Sequence, residues 1–359
     1  MKTVAVIMAG GRGERFWPYS RRKRPKQFLS LTPDGKPMIR LTFERITRLV
    51  PPEDVYVVTG EEFIALVQEH LPELPAQNIL AEPCARNTAP CIGLAAAVAR
   101  SRNREDVVLA VMPSDHLIRE EAIFLNDLKT CVAVAEKSEA ILTMGITPTY
   151  PETGYGYIHY GEPLEGGGRV YRVFAFKEKP PVETARRYMD EGCYLWNSGI
   201  FVFRADSMLA HMARLMPALH GQLLRLIPTI DTPAYPAALA EVYGQMESVS
   251  IDYGVMEKSD DILTVPGSFG WDDVGSWNAL ERIRTPDENG NVLAGDTLAI
   301  RAKGNIVMGE NSRLTVLLGI EDTVVVEQQD VTFICAKNST QDIRGILSKL
   351  RQEGRDSLL

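Results

Sequence analysis

The sequence predicts an α/β protein, with a mostly parallel sheet covered by helices on both faces and a small β-rich domain after it. Three observations carry this reading. An apolar run at residues 4–8 has the form of a buried strand and leads directly into a glycine cluster. Short apolar runs then alternate with helical stripes through the first half of the chain. After about residue 285 the texture changes to short β-rich pieces separated by glycine, aspartate and asparagine.

Residues 38–50 set Ile39, Phe43, Ile46 and Val50 along one helical stripe. A strand follows at 55–59, a helix at 62–71 and a short strand at 79–81. Residues 88–101 are alanine-rich and read as a well-buried helix. A buried strand at 107–112, a helix at 122–137 and a strand at 140–146 complete a Rossmann-like βαβ succession. Ligand sites in such sheets lie at the carboxyl ends of strands. The glycine cluster and the PSDH sequence at 113–116 both occupy that place.

The middle is less regular. Strands are expected at 155–160 and 170–177, with a turn at Gly166, Gly167 and Gly168. A helix is expected at 182–191, a strand at 200–204, and helices at 205–216 and 234–246, with a loop around 228–236. The cluster TPDENGN at 285–291 reads as a linker, dividing a domain at 1–285 from one at 286–359. The second has strand-like pieces at 297–302, 306–308, 314–318, 323–327 and 331–336, then a helix at 341–352. These form either a small all-β domain or short solenoid coils.

Composition narrows the function. An apolar fraction of 45% and a charged fraction of 24% are ordinary for a soluble globular chain. A net charge of −8 argues against general nucleic-acid binding, but a local basic site for a nucleotide is compatible with it. The five cysteines are scattered without CxxC spacing, which points to reduced thiols in a cytoplasmic protein and away from a zinc site. The N-terminal apolar run is too short to span a membrane and no cleavage-site pattern follows it, so no membrane partner is expected.

The chemistry begins at MAGGRGER, residues 8–15, and RPKQFL, residues 24–29. Gly10, Gly11 and Gly13 let backbone approach a ligand and turn N–H groups toward phosphate oxygens. Arg12, Arg15 and Lys26 add positive charge. A dinucleotide fingerprint would need a third glycine where Phe16 stands, and a Walker loop would end in Gly-Lys-Ser/Thr, which is absent. Asp115 follows a strand, and Asp272 and Asp273 lie in GWDDVGSW at 270–277. Two carboxylates from distant segments suit Mg²⁺, an ion that also takes phosphate oxygens. Helix capping would explain each of these aspartates equally well.

Other groups carry weaker signals. Lys179 after a strand suits a second phosphate and Glu178 suits sugar hydroxyls, although a solvated strand end explains both. Asn197, before a strand, is a candidate hydroxyl clamp or a plain turn residue. Gly156, within TGYGYI at 153–158, leaves backbone open beside aromatic rings. Asn87 and Thr88 open the alanine-rich helix and have the form of caps, and Glu82 just before them could read a base edge. The five histidines form no metal pattern, and only His116 adjoins a candidate site. No serine elbow or cysteine nucleophile is present. A phosphate monoester, with its second pKa near ~6, is a nucleophile that needs no general base. These parts therefore point to nucleotidyl transfer from a nucleoside triphosphate to a phosphorylated small molecule.

Taken in order, the motifs resemble those of the mannose-1-phosphate guanylyltransferases. They are MAGGRGERFWP at 8–18 with PKQFL at 25–29, EPCARNTAP at 82–90, PSDH, TGYGYI, FKEKP at 176–180 and NSGIF at 197–201. SIDY at 250–253, with Met256 and Glu257, and GWDDVGSW complete the set. The resemblance implies a nucleotidyltransferase sheet domain with Gly10, Gly11 and Gly13 around the triphosphate of GTP. It implies Arg15 and Lys26 on phosphates, Asp115 and Asp273 on Mg²⁺, and Asn87 and Thr88 near the guanine. Gly156, Glu178, Lys179 and Asn197 would face mannose 1-phosphate. The β-rich tail would be a short left-handed β-helix of the kind that helps form homodimers. The chain reaches Leu359 without the histidines of a fused isomerase domain, so guanylyltransferase activity alone is expected. Two alternatives stand beside this: a sugar-1-phosphate nucleotidyltransferase for another base or sugar, and an inactive nucleotide-sugar-binding regulatory subunit.

Overall fold

The structure, a computed structural model, describes residues 1–166 and 168–359. Gly167, in the middle of the expected glycine turn, lies outside the described residues. The chain forms two compact units. One contains Met1–Gly10, Phe43–Ser114 and Ile118–Trp271, and the other Gly11–Thr42, Asp115–Leu117 and Asp272–Leu359.

The first unit is built on a nine-stranded sheet. Strands β1 (Lys2–Met8), β2 (Val55–Gly60), β3 (Ile79–Glu82) and β4 (Val107–Pro113) pair in parallel, as continuous apolar runs buried on both faces require. After the two-residue β5 (Leu117–Ile118) come β6 (Ile141–Ile146), β7 (Gly156–Pro163), β8 (Tyr171–Glu178), β9 (Tyr194–Arg204) and β10 (Ile262–Gly267). The strand order is β3-β2-β1-β4-β9-β6-β10-β8-β7. Strand β9 runs antiparallel to both β4 and β6, and β8 antiparallel to β10, so the sheet is mostly but not wholly parallel.

Strand β9 starts at Tyr194, several residues before the expected strand at 200–204. Asn197 therefore lies inside a strand and not in a turn before one. Gly199 there has a φ of 71°, and the β6–β9 register shifts between Thr143 and Gly145. This irregularity hides the strand from a simple alternation count.

Helices α1 (Met38–Ile46), α2 (Ile64–His70), α3 (Thr88–Arg102), α4 (Glu121–Ala135) and α5 (Val182–Glu191) lie close to their expected positions. So do α6 (Ala205–Leu215) and α8 (Tyr235–Gly244), whereas α7 (Pro217–Leu226) between them was not legible. Helix α3 is buried from Ala89 to Ala99, and its small residues let α6 and α7 approach closely. A Cβ on Gly93 would lie 2.8 Å from Leu223 Cδ1. Among the described residues, no helix is long and apolar enough to cross a membrane.

The second unit is organised by its tail. After β11 (Trp271–Asp272) and the short α9 (Leu280–Ile283), the chain winds through β12 (Val292–Ala294), β13 (Thr297–Ile300), β14 (Ile306–Met308), β15 (Thr315–Leu318), β16 (Thr323–Gln328) and β17 (Val331–Ala336), then α10 (Ile343–Gln352). Strands β12, β14 and β16 stack in parallel, and so do β13 and β15, which makes these pieces solenoid coils. Successive coils repeat a left-handed corner: Gly290, Gly304 and Asp322 have φ of 75°, 64° and 46°. Buried Asn305 donates its Nδ2 to Asn291 Oδ1 at 2.9 Å, tying one coil to the next.

The core of this unit joins residues far apart in sequence. Phe16, Trp17, Leu29 and Leu31, which follow the glycine cluster, pack with Trp277, Val292, Ile306, Val324, Phe333 and Leu347. Trp277 meets Phe16 edge-on at 5.0 Å between ring centroids, and its Nε1 donates to Trp17 O at 3.2 Å. Trp17 Nε1 in turn donates to Leu358 O at 2.7 Å. The segment at 11–42 thus packs with the tail, whereas the sequence boundary at 285 groups it with the sheet. Trp277→Ala should destabilise this unit by about 3–5 kcal/mol. Urea unfolding followed through a probe in the tail measures it; a shift below about 1 kcal/mol would contradict this packing.

Candidate active site

The glycine loop turns where its sequence demands. Gly13 has a φ of 59° and opens a single 3-10 turn at Glu14–Phe16. A Cβ on Gly13 would collide with the backbone and Cβ of Lys26, so only glycine lets these two segments close on each other. Ser20 Oγ donates to Gly13 O at 2.8 Å, bracing the loop from behind. Gly11 opens onto free space. Arg12 and Arg15 are exposed, and neither forms an ion pair among the described residues.

Lys26 behaves differently. Pro25 precedes it, and it begins the short turn Lys26–Phe28 with its side chain buried. Its Nζ lies 2.9 Å from Asp115 Oδ2 and donates to Asp273 O at 2.6 Å. One ammonium therefore joins two acidic segments separated by more than a hundred residues. Burial alone would raise the pKa of Asp115. The Lys26 charge, the neighbouring His116 and hydrogen bonds outweigh it and hold the carboxyl below its usual range. Burial lowers the pKa of His116, with the Lys26 charge adding to it against Asp115, Asp273 and Asp272, so this imidazole favours its neutral form.

Adjacent aspartates divide their tasks. Asp272 is buried, accepts from Arg282 Nε at 2.5 Å and Nη2 at 3.0 Å, and takes the Val274 N–H at 2.8 Å. It is occupied with holding the loop together. Neither aspartate caps the following helix, whose N-cap is Ser276 without a side-chain bond. Val274 sits at a φ of 49°, and a Cβ on Gly275 would lie 2.7 Å from Asp273 Oδ2. The strained turn and the missing side chain keep the space around the Asp273 carboxylate open. Among the described residues no three His, Cys, Asp or Glu side chains gather into a metal cluster.

The first unit holds two further groups. At the end of β3, Glu82 is buried and its Oε1 accepts the Tyr243 hydroxyl of α8. Burial pushes the Glu82 carboxyl upward, and the Tyr243 bond opposes this. A Cβ on Gly10 would stand 2.9 Å from Glu82 Oε2, so glycine leaves this carboxylate oxygen uncovered. Asn87, at a φ of 68°, accepts the Thr88 N–H and caps α3, and Thr88 Oγ1 accepts the Ile251 N–H at 2.8 Å. Both therefore have structural work at the mouth of α3.

The second group follows from strand register. Gly156 of β7 lies opposite Glu178 of β8, and a Cβ there would be 2.6 Å from Glu178 Oε2. That oxygen is buried without a hydrogen-bond partner, which marks it as an acceptor awaiting a donor. Glu178 Oε1 pairs with Lys179 Nζ, and Lys179 adopts a φ of 47°. Asn197 Oδ1 accepts from Thr143 Oγ1 at 3.0 Å and Gly199 N at 3.1 Å, while its Nδ2 donates to Asp252 Oδ1 at 3.0 Å. Sequence reasoning gave no role to Tyr243 or Asp252. The only signal for Asp252 was its place in SIDY, and nothing local marked Tyr243.

Comparison with known proteins identifies the family and the fold. The nucleotidyl transferase family profile matches residues 4–290, and a "MannoseP isomerase/GMP-like beta-helix domain" profile matches 295–350. The chain is 38% identical over 362 residues to mannose-1-phosphate guanylyltransferase 2 of Escherichia coli O157:H7, spanning 98% of this chain and 74% of that protein. It is 38% identical over 355 residues to the xanthan biosynthesis protein XanB of Xanthomonas campestris pv. campestris strain B100, spanning 98% and 74% of the two chains. A crystal structure from Thermus thermophilus, described as a mannose-1-phosphate geranyltransferase, superposes with a TM-score of 0.87 at 35% identity. The match covers 98% of this chain and 100% of that one.

The two neighbouring aspartates should separate cleanly by variant. Asp272→Ala breaks a half-exposed pair with Arg282 and one buried backbone bond, and should cost about 2 kcal/mol. Asp273→Asn should change stability by less than about 1 kcal/mol. Thermal melts of both proteins measure this, and the reverse ranking would contradict the assignment.

Proposed function

The chain belongs to the nucleotidyl transferase family and, within it, to the mannose-1-phosphate guanylyltransferases. On that premise we propose that it transfers GMP from GTP to mannose 1-phosphate, giving GDP-mannose and pyrophosphate. The observation that carries this reading is the buried Lys26 ammonium held against Asp115 and Asp273 beside a glycine loop with two unpaired arginines.

The sugar phosphate is its own nucleophile. Its oxygen attacks the α-phosphorus of GTP in line, forming a new P–O bond as the bond to the β-phosphate oxygen breaks and the electron pair leaves with pyrophosphate. No residue has to remove a proton, which suits a site where burial lowers the pKa of His116 and the Lys26 charge holds the Asp115 carboxyl below its usual range. Amides around Gly11 and Gly13, with Arg12, Arg15 and Lys26, stabilise charge on the triphosphate and the departing diphosphate.

Nucleotidyl transferases in general use a divalent metal, and the acids here fit Mg²⁺ in particular. That ion takes one or two carboxylates and fills its shell with water and phosphate oxygens, so the absence of a three-ligand protein cluster is compatible with it. Asp115 and Asp273 would hold it. When bound, it would neutralise charge on the phosphates. Lys26, with its ammonium beside Asp115, would supply a further positive charge to the phosphates.

Glu82 supplies a reason for guanine. A carboxylate accepts hydrogen bonds, and guanine presents adjacent N1–H and 2-amino donors on its pairing edge. Uracil and thymine offer a single N–H between two carbonyls, and adenine presents an acceptor at N1. Glu178 Oε2 and the remaining Asn197 amide hydrogen suit mannose hydroxyls, while Lys179 suits the sugar's phosphate. The five cysteines carry no disulfide, in keeping with a cytoplasmic enzyme.

Pyrophosphate release measured over GTP, ATP, UTP and dTTP with mannose 1-phosphate and Mg²⁺ tests the reaction. GTP should be the substrate that turns over, and turnover of UTP or dTTP without GTP would refute the assignment of the base. Lys26→Ala should lower kcat by about three powers of ten. Wild-type activity in that variant would remove Lys26 from the reaction.

The tail supports a homodimer. Leu298 and Ile300 of β13 lie in register with Val316 and Leu318 of β15, and all four are exposed on one face of this ladder. Identical copies can cover such a face symmetrically. Sedimentation should give a dimer, and the Val316→Glu, Leu318→Glu double variant a monomer. A monomeric parent protein at micromolar concentration would reject this interface.

A further inference from the structure

Asp252 stands at the start of a π-helical turn, Asp252–Met256, between α8 and β10. Such a turn is rare and recurs at functional sites. Here it is held from two directions. Thr88 Oγ1 at the head of α3 accepts the N–H of Ile251, the residue just before it. Glu257, just after the turn, accepts the Glu178 N–H at 2.9 Å. The Asp252 carboxylate thereby reaches the Nδ2 of Asn197.

Asn197 has little freedom left. Its oxygen accepts two bonds and one amide hydrogen goes to Asp252, so the remaining amide hydrogen has a fixed direction. We propose that Asp252 is a positioning residue of the sugar-phosphate site, orienting the Asn197 amide and setting, with Glu178 and Lys179, the charge that a sugar phosphate meets. This inference rests on the nucleotidyl-transfer reading above and deepens it.

The surroundings make that charge variable. Glu178 at the end of β8 and Lys179 just after it face Asp252, with Ser250 from its own segment, and Tyr253 lies near Lys179. Helix α6 also packs on the turn, but its His211 and Arg214 engage Ser259 and Asp260 beyond it. Burial, and then the Glu178 carboxylate, push the Asp252 carboxyl up to about 7, against the pull of Lys179. Below that pH Asp252 is neutral, and Glu178 and Lys179 balance. Above it the trio carries a net negative charge and opposes a phosphate dianion. Affinity for the sugar phosphate should therefore fall as pH rises through neutrality.

The test is the KM for mannose 1-phosphate at about pH 6 to 8, with saturating GTP, in the wild-type protein and two variants. The substrate's own titration is common to all three and cancels in the ratios. Asp252→Asn keeps an acceptor for Asn197 but carries no charge. Its KM should lie about three- to tenfold below wild type at pH 8 and converge with it at pH 6. Asp252→Ala loses both the Asn197 contact and the charge, so its KM should lie about tenfold above wild type at pH 6 and approach wild type at pH 8, with the KM for GTP unchanged. A wild-type protein that turns over while Asp252→Asn copies its KM profile would overturn the assignment of Asp252 alone. So would Asp252→Ala with an unaltered KM at pH 6. Failure of the wild type to turn over any sugar phosphate would instead overturn the nucleotidyl-transfer reading, and this inference with it.

Discussion

One buried ammonium organises the region around the glycine loop. Lys26 is bonded to the carboxylate of Asp115 and to the main chain at Asp273. Burying a lysine is costly without partners, and removing either acid segment would leave the charge stranded. The surrounding structure is arranged to keep it there. Gly13 gives up a side chain so that the loop can close on Lys26, and the Phe16 ring lies 5.9 Å from its Nζ. Asp272 is tied to Arg282 so that its neighbour Asp273 is presented in a defined way.

The sugar-binding candidates depend on sheet register instead. Gly156 and Glu178 are cross-strand partners, so the glycine's missing side chain and the carboxylate's uncovered oxygen describe the same space. A one-residue slip would turn Glu178 to the opposite face. Asn197 is fixed by a strand irregularity at Gly199 and by the side chains of Thr143 and Asp252. Two different devices, a closed ionic loop and a register pair, thus shape the two groups of candidate residues.

Much of this was legible in the residues. The apolar runs at β1, β2 and β4 identified themselves because buried parallel strands need no alternation. Lys26, Asp115 and the GWDDVGSW acids stood out as charged groups beside glycines or after a strand, although capping would explain the aspartates as well. The residues alone did not separate Asp272 from Asp273, and only the family resemblance pointed to Asp273; the physical difference depends on Arg282 folding back onto Asp272. Strand β10 was missed because it is short and follows an irregular segment, and helix α7 because it begins at Pro217, with only Met216 between it and α6, where the proline reads as a break. The roles of Asp252 and Tyr243 stayed hidden because their partners lie 55 and 161 residues away along the chain.

The link from Trp17 to Leu358 spans 341 positions. The core behind the glycine loop therefore cannot be completed during most of translation. A nascent chain can assemble the parallel strands early, since their pairings are comparatively local, but the first thirty or so residues after β1 must wait for β17 and α10 to leave the ribosome. Until then Phe16, Trp17 and Leu29 are unsheltered aromatic and aliphatic surface, the kind that chaperones recognise. Completion of this core only once residue 358 has emerged follows from where it draws its two halves.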